Sequence, residues 1–295
     1  MLLQPDCVPC IHKALLSAIR ELTSDDEQIK ALLSQVMQLP SLRDPAWNLT
    51  SPHVLEAGLA KICQFFGTSD PFQALKERQN ARAMELYSWL KSLVEESKDR
   101  LSTAAHLAII GNSLDVMWSG GSMDVEPLIQ QQLRNPLLSE SFVHLEQRLR
   151  NSRLVLILGD NCGEIVFDRL FVETVKSIFD LQVVFAVRSV PTLNDATAKD
   201  ATFVEMDKIA SIVDNGIDGP VPGTVVARCS DQMKRHIEDA DLILSKGGGN
   251  FDSIEEEVHL HHKIVFMLMS KCVPLCNYFG SKLYDPILSA PRRDG

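Results

Sequence analysis

From residue 154 onward the chain alternates short apolar runs with small polar clusters. Leu154-Val-Leu-Ile-Leu158 stops at Gly159-Asp160-Asn161-Cys162-Gly163-Glu164, and Val183-Val-Phe-Ala-Val187 stops at Arg188 and then Pro191-Thr192-Leu193-Asn194-Asp195. Asp241-Leu-Ile-Leu244 stops at Ser245-Lys246-Gly247-Gly248-Gly249-Asn250. Continuous apolar runs of this length, bounded by Gly and Pro, suit strands buried on both faces, as in a parallel sheet. Val265–Met269 predicts a further strand, while Ile165–Phe179, Ser230–Ala240 and Phe251–His261 fill the crossover positions as helices. Strands alternating with helices are the signature of βαβ units.

The first half keeps helical spacing instead. Ser24 with Glu27 predicts a capping box before an apolar-periodic stretch ending near Leu39. Ser51-Pro52 predicts an N-cap with proline in the first turn, followed by Val54, Leu55, Leu59, Ile62 and Phe65. Asp70-Pro71 opens another helix, in which Leu86, Leu90 and Leu93 share a face; two more are expected around Leu101–Trp118 and Phe142–Leu149. Gly120-Gly121 and Asn135-Pro136 mark the breaks between them. The change of pattern near residue 150 divides a helical cap region, 1–150, from an α/β catalytic region, 151–295, and the two can pack as one unit. The polar C-terminal tail, Ala290–Gly295, has no reason to pack.

Charge and composition narrow the function. A formal net charge of −10 argues against nucleic acid or an anionic membrane surface as partner, both of which need a basic face. A small phosphorylated substrate stays open, because a bound cation and one or two placed lysines set the local field. No apolar run approaches the roughly 18 residues of a membrane span. The N-terminus lacks the pattern of a signal peptide. Seven cysteines over a long chain do not make a disulfide framework. These features predict a reduced, cytoplasmic protein.

In open α/β sheets ligands bind beyond the carboxyl ends of the strands, where strand order reverses. Asp160, Asn161, Asp195 and Lys246 are therefore expected to converge. The side-chain oxygens of Asp160, Asn161 and Asp195 suit a hard divalent cation such as Mg²⁺ or Mn²⁺. Gly247-Gly248-Gly249 would offer backbone amides to a phosphate, with Lys246 as charge partner. The spacing of a Walker A loop and that of a dinucleotide fingerprint are both absent. Asn112 and Asp115, three apart on one helical face, would reach over the site from the cap. Cys7-x-x-Cys10 and Cys272-x-x-x-Cys276 have metal or redox spacing, but no redox βαβ context follows, and buried free thiols outside the catalytic metal shell are expected. His259, His261 and His262 read as a solvated helix face.

Taken together, Gly159-Asp-Asn-x-Gly-Glu164, Arg188-x-x-Pro191-x-x-Asn194-Asp195-x-Thr197 and Ser245-Lys-Gly-x-Gly-Asn250 resemble the metal-dependent damage-control phosphatase family, long catalogued as a domain of unknown function. Gly111-Asn112-x-x-Asp115 and Asp214-Asn-Gly216 leading to Pro222-Gly-Thr224 match less closely, while Cys7-x-x-Cys10 and Lys271-Cys272 look like its archaeal and bacterial branch. The resemblance implies a helical N-terminal region on a three-layer α/β/α core with a mostly parallel sheet. It also implies a divalent metal (Mn²⁺, Mg²⁺, Co²⁺ or Ni²⁺) and hydrolysis of phosphate monoesters of small, possibly damaged metabolites through a metal-activated water. Carried over by motif, Asp160, Asn161 and Asp195 are the metal ligands and Lys246 binds the phosphate. Arg188, Asn194, Gly247, Gly248, Gly249, Asn250, Asn112, Asp115 and Glu164 are expected around the substrate, with Glu164 or Asp115 as base. Two alternatives remain at this point: an S-adenosylmethionine-dependent carboxyl methyltransferase, and a non-enzymatic metal- or ligand-binding protein.

Overall fold

Six strands form one sheet in the order β3-β2-β1-β4-β5-β6. They are β1 (Leu154–Leu158), β2 (Gln182–Val187), β3 (Ser211–Asp214), β4 (Leu242–Lys246), β5 (Ile264–Met269) and β6 (Pro286–Ser289). The first five run parallel and β6 returns antiparallel against β5. This is the doubly wound order, whose switch point lies between β1 and β4. The computed structural model describes residues 1–44, 47–114, 125–135 and 137–292.

Alternation along each strand divides the apolar side chains between two faces. Val155, Ile157, Phe185, Leu242, Leu244, Val265 and Met267 enter one core, and Leu156, Leu158, Val184, Ile243, Phe266 and Leu268 enter the other. The helices, in chain order, are α1 (Cys7–Leu22), α2 (Asp26–Met37), α3 (Pro40–Arg43), α4 (Ser51–Phe66), α5 (Gln73–Glu95), α6 (Arg100–Gly111) and α7 (Glu126–Leu133). They continue with α8 (Ser139–Arg150), α9 (Glu164–Ile178), α10 (Ala198–Phe203), α11 (Asp231–Asp239), α12 (Gly247–Ile254) and α13 (Val273–Phe279). Residues of α5–α9 fill the first core, and those of α11–α13 cover the second. The result is a three-layer α/β/α core.

The sheet starts at Leu154, close to the change of pattern, but the packing divides elsewhere. Side chains from Leu3 to Phe72, on α1–α4, form a separate cluster, whereas α5–α8 belong to the core of the sheet. The cap proper is therefore the first 72 residues. Among the described residues no helix is long and apolar enough to cross a membrane.

Several local expectations shift. Asp25, not Ser24, caps α2, its carboxylate accepting from the amides of Glu27 (2.9 Å) and Gln28 (3.4 Å). Ser51 is already helical, with Thr50 at the cap position. Gly247-Gly248-Gly249 is not a loop but the first turn of α12. Helix α12 ends at Ile254, and the histidines lie on a 3₁₀ segment, Val258–Lys263. The helix expected around Leu101–Trp118 is α6, which ends at Gly111 with Asn112 at its C-cap. Asp115, Gly120, Gly121 and Pro136 lie outside the described residues.

Candidate functional site

The loops after β1 and β2 are stitched together by their backbones. Ala196 N–H donates to Asp160 C=O at 2.8 Å and Cys162 N–H to Asn194 C=O at 2.8 Å, with Asn161 and Asp195 forming an antiparallel bridge. This pairing brings Asp160, Asn161 and Asp195 to one end of a cavity of about 310 Å³ that all three line. Asn194, Gly248 and Gly249 line it too, as expected of substrate-facing groups.

Asp160 and Asp195 are both buried. Burial pushes the Asp160 carboxyl well above the usual range, and the charges of Asp195 and Glu164 add to this. Burial also raises Asp195, with Arg188 pulling it back. The arrangement is short of positive charge. Arg188 is the nearest compensation: its Nε donates to Asp195 Oδ2 at 2.6 Å and its Nη2 lies 3.6 Å from Asp160 Oδ1. Lys271, on the cavity wall, also acts electrostatically on Asp160.

Behind these groups lies a polar network centred on the buried Asn112 and Glu164. Asn112, just past α6, donates to Asp160 Oδ2 (3.1 Å) and Glu164 Oε2 (2.8 Å), and accepts from Met269 N–H (3.2 Å). Asn161 donates to the same two oxygens, at 2.7 and 3.1 Å. Its amide oxygen is thereby left for another donor or cation. Two carboxylates and one amide oxygen are hard donors that can hold Mg²⁺ or Mn²⁺. Among the described residues no three His, Cys, Asp or Glu side chains form a ready ligand cluster.

Lys246 is not in the cavity. Its ammonium donates to Glu164 Oε1 (2.5 Å), Asp168 Oδ1 (2.7 Å) and the carbonyl of Ala108 (2.8 Å), so all three protons are used. Burial alone would lower its pKa, but Asp168 and Glu164 hold it well above the ordinary value. Asp168 itself is raised by burial to about 7. Because Asn112 N–H turns to Ile109 C=O, Lys246 supplies the donor that the Ala108 carbonyl at the end of α6 needs. The expected phosphate lysine is thus an internal strut for Glu164.

Glu164 is not available as a base either, since it is 0% exposed and both its oxygens are engaged. Arg188 and Asn250 also sit behind the wall. Arg188 Nη1 donates to Asn250 Oδ1 at 3.0 Å, while Asn250 Nδ2 donates to the carbonyls of Gly159 (2.9 Å) and Lys246 (2.8 Å), tying β1 to β4. Gly247, at φ +72°, lies against the Asp160 carboxylate, where a Cβ would collide with it.

Sequence reasoning omitted Lys271 and Asp252 from the site and expected buried thiols outside the metal shell; Cys7, Cys10 and Cys272 instead line this cavity, Cys10 exposed and the other two half-buried. The adjacency of Lys271 to the end of β5, one residue past Ser270, was a usable signal. Nothing local marks α1 as a wall of the site. Leu193, with its backbone at φ +43°, lines the cavity and packs against the cap cluster, so this loop contacts both halves.

A doubly wound α/β protein with a carboxylate-rich cavity at its switch point is the class that fold and site define. The chain belongs to the family of the damage-control phosphatase ARMT1-like domain, whose model matches residues 3–287. It is 30% identical to the uncharacterised protein MJ0202 of Methanocaldococcus jannaschii, over 97% of this chain and 94% of that one. It is 28% identical to a damage-control phosphatase of Archaeoglobus fulgidus, covering 97% and 98% of the two. The crystal structure of a DUF89 family protein, PH1575 of Pyrococcus horikoshii, shares the fold, with a TM-score of 0.88 at 23% identity over 99% of this chain and 100% of that one.

Proposed function

We propose that this chain is a divalent-metal-dependent phosphatase acting on phosphate monoesters of small metabolites. The observation that carries the reading is the buried pair Asp160 and Asp195, joined by Asn161 at the end of a cavity bounded by Gly248 and Gly249. Family membership and the relatives' names support the reaction class. Asp160, Asn161 and Asp195 would hold the cation. Such an ion supplies Lewis-acid charge for a phosphoryl oxygen and acidifies water.

The chain's own groups do the rest. Amides in the first turn of α12 face a phosphate with the positive end of that helix. Lys271 takes the charge-partner role that sequence assigned to Lys246, opposite the developing negative charge of phosphoryl transfer. Arg188 fixes Asp195, and the Lys246–Glu164 pair fixes Asn112 and Asn161 around Asp160. The cap walls one side of the cavity with Ile11 of α1 and Leu55 of α4.

Phosphate release from p-nitrophenyl phosphate, after chelation and after adding back Mn²⁺, Mg²⁺, Co²⁺ or Ni²⁺, tests this reading. Turnover restored by metal is expected. Tight binding of S-adenosylmethionine by the chelated protein, with no phosphate released under any metal, would overturn it.

A further inference from the structure

Hydrolysis of a phosphate monoester expels an alcohol, and an alkoxide is a poor leaving group until a proton reaches its oxygen. The groups assigned above do not supply that proton. Asp160 and Asp195 face the cation, Lys271 faces the phosphoryl charge, and Glu164 is locked to Lys246 behind the wall. Asp252, from α12, also lines the cavity.

The helix sets the position of this carboxyl. Asp252 follows Gly248 and Gly249 by four and three residues, so all three share the face of α12 that lines the cavity. That separation is about 4.5–6 Å along the helix axis, and the Cα–Cβ bond of Asp252 leans back toward the N-terminus. The carboxyl therefore stands within one turn of the amides offered to the phosphate. Ser51 of α4 hydrogen-bonds it, on the side of the cap where the alcohol part of an ester would extend. Burial pushes it up to about 7, with the Met1 α-amine pulling it back and Glu255 and Glu256 pushing it further. Cys10 of α1 and Cys272 at the N-cap of α13 also feel its charge, and burial raises both thiols. A general acid works best with a pKa near the working pH, which favours the carboxyl over either thiol. Asp6, the other carboxyl on this wall, is exposed to solvent.

We propose that Asp252 is the general acid that protonates the leaving alcohol, a catalytic role that rests on the phosphatase reading above. As the ester P–O bond breaks, its electron pair returns to the alcohol oxygen, which takes the Asp252 proton. A water oxygen bonds to phosphorus, and both its protons leave with the product as dihydrogen phosphate. Solvent then returns a proton to the carboxylate.

The test compares benzyl phosphate with p-nitrophenyl phosphate, two esters of similar girth, in the presence of Mn²⁺. The p-nitrophenolate ion leaves without a proton, whereas benzyl alcohol needs one. Asp252→Asn keeps the shape of the side chain, and should lower the ratio of kcat/KM for benzyl over p-nitrophenyl phosphate about 10²-fold, as for a lost general acid. Mn²⁺ affinity, read by calorimetry, should not change, because Asp252 is not among the ligands. In wild type, kcat for benzyl phosphate should fall as pH rises through about 7 and the acid loses its proton, with no such limb for p-nitrophenyl phosphate. That comparison needs no variant. Equal losses on the two esters, weakened Mn²⁺ binding, parallel wild-type pH profiles, or a wild type that cleaves p-nitrophenyl phosphate alone each overturn the proposal and leave the phosphatase reading intact. No phosphate from either ester under any metal overturns that reading and this proposal with it.

Discussion

Lys246 exposes how far a side chain's role depends on which face of its strand it leaves. Leu242 and Leu244 enter the same core as α6 and α9, and Lys246 continues their parity. Glu164 and Asp168 stand one turn apart on α9, facing that layer. Both facts were legible in the sequence, as strand alternation and i, i+4 spacing, but the short distance from Lys246 to the glycines drew the reading toward phosphate. Replacing Lys246 with Met should strand two buried carboxyls and cost about 3–5 kcal/mol of stability, measurable by urea unfolding. Metal affinity should fall with it, because Glu164 anchors Asn112 and Asn161. A lysine that bound only phosphate would instead leave the unfolding midpoint unchanged. Adding Asp168→Leu should recover part of the loss. Asp195→Asn behaves differently. It removes a charge that repels Asp160 and keeps an oxygen for Arg188, so metal-dependent turnover should disappear while the melting temperature stays no lower than that of metal-free wild type. Undiminished activity in Asp195→Asn would exclude the metal assignment.

Elements differ in how clearly they announce themselves. Strands β1, β2, β4 and β5 are internal to the sheet and buried on both faces, so their apolar runs were visible. Edge strands β3, Ser211-Ile-Val-Asp214, and β6, Pro286-Ile-Leu-Ser289, are four residues each and half polar, too little pattern to read. The glycines of α12 do not announce a helix because glycine weakens a helix interior; packing against Asp160 explains Gly247 and packing against Pro222 explains Gly249. Helix α6 offers a test at this scale. His106 is buried on it with Nε2 lacking a hydrogen bond, and burial lowers its pKa from 6.5 to about 4. A folded-state value below the unfolded one means the native protein binds fewer protons, so this contribution is complete above pH 6.5 and is lost as pH falls toward 4. The shift corresponds to about 3 kcal/mol in full. Between pH 7 and 5, wild type should lose about 2 kcal/mol relative to His106→Leu. Buried Asp168 and Asp252 titrate in the opposite sense in both proteins, so the difference between the two isolates His106. Parallel pH curves would show that His106 is hydrated or paired.

For the whole molecule the decisive feature is that cap and sheet enclose one cavity although their cores are separate. Helix α4 packs on α12, and Arg228 clasps Glu56 of α4 through both carboxylate oxygens at 2.7 and 2.8 Å. The first turn of α1 consequently stands opposite Asp160 with its two cysteines. No pattern along the sequence could place residues 7 and 160 together, because only the closure of the cap joins them. Thiolates suit softer ions than the hard oxygen set of Asp160, Asn161 and Asp195, so Cys7→Ser with Cys10→Ser should retain phosphate release within about twofold and contain no stoichiometric zinc or iron. Thiol-bound metal that vanishes in the double variant would show a second metal centre. Cys10 is exposed at this wall, so a bulky maleimide attached there should fill space the substrate needs. Wild-type activity should therefore fall in proportion to labelling of Cys7 and Cys10, followed by mass spectrometry, while the double serine variant stays active under the same treatment. Equal loss in the two proteins would trace inactivation to Cys63, Cys272 or Cys276 and would remove the first turn of α1 from the substrate path.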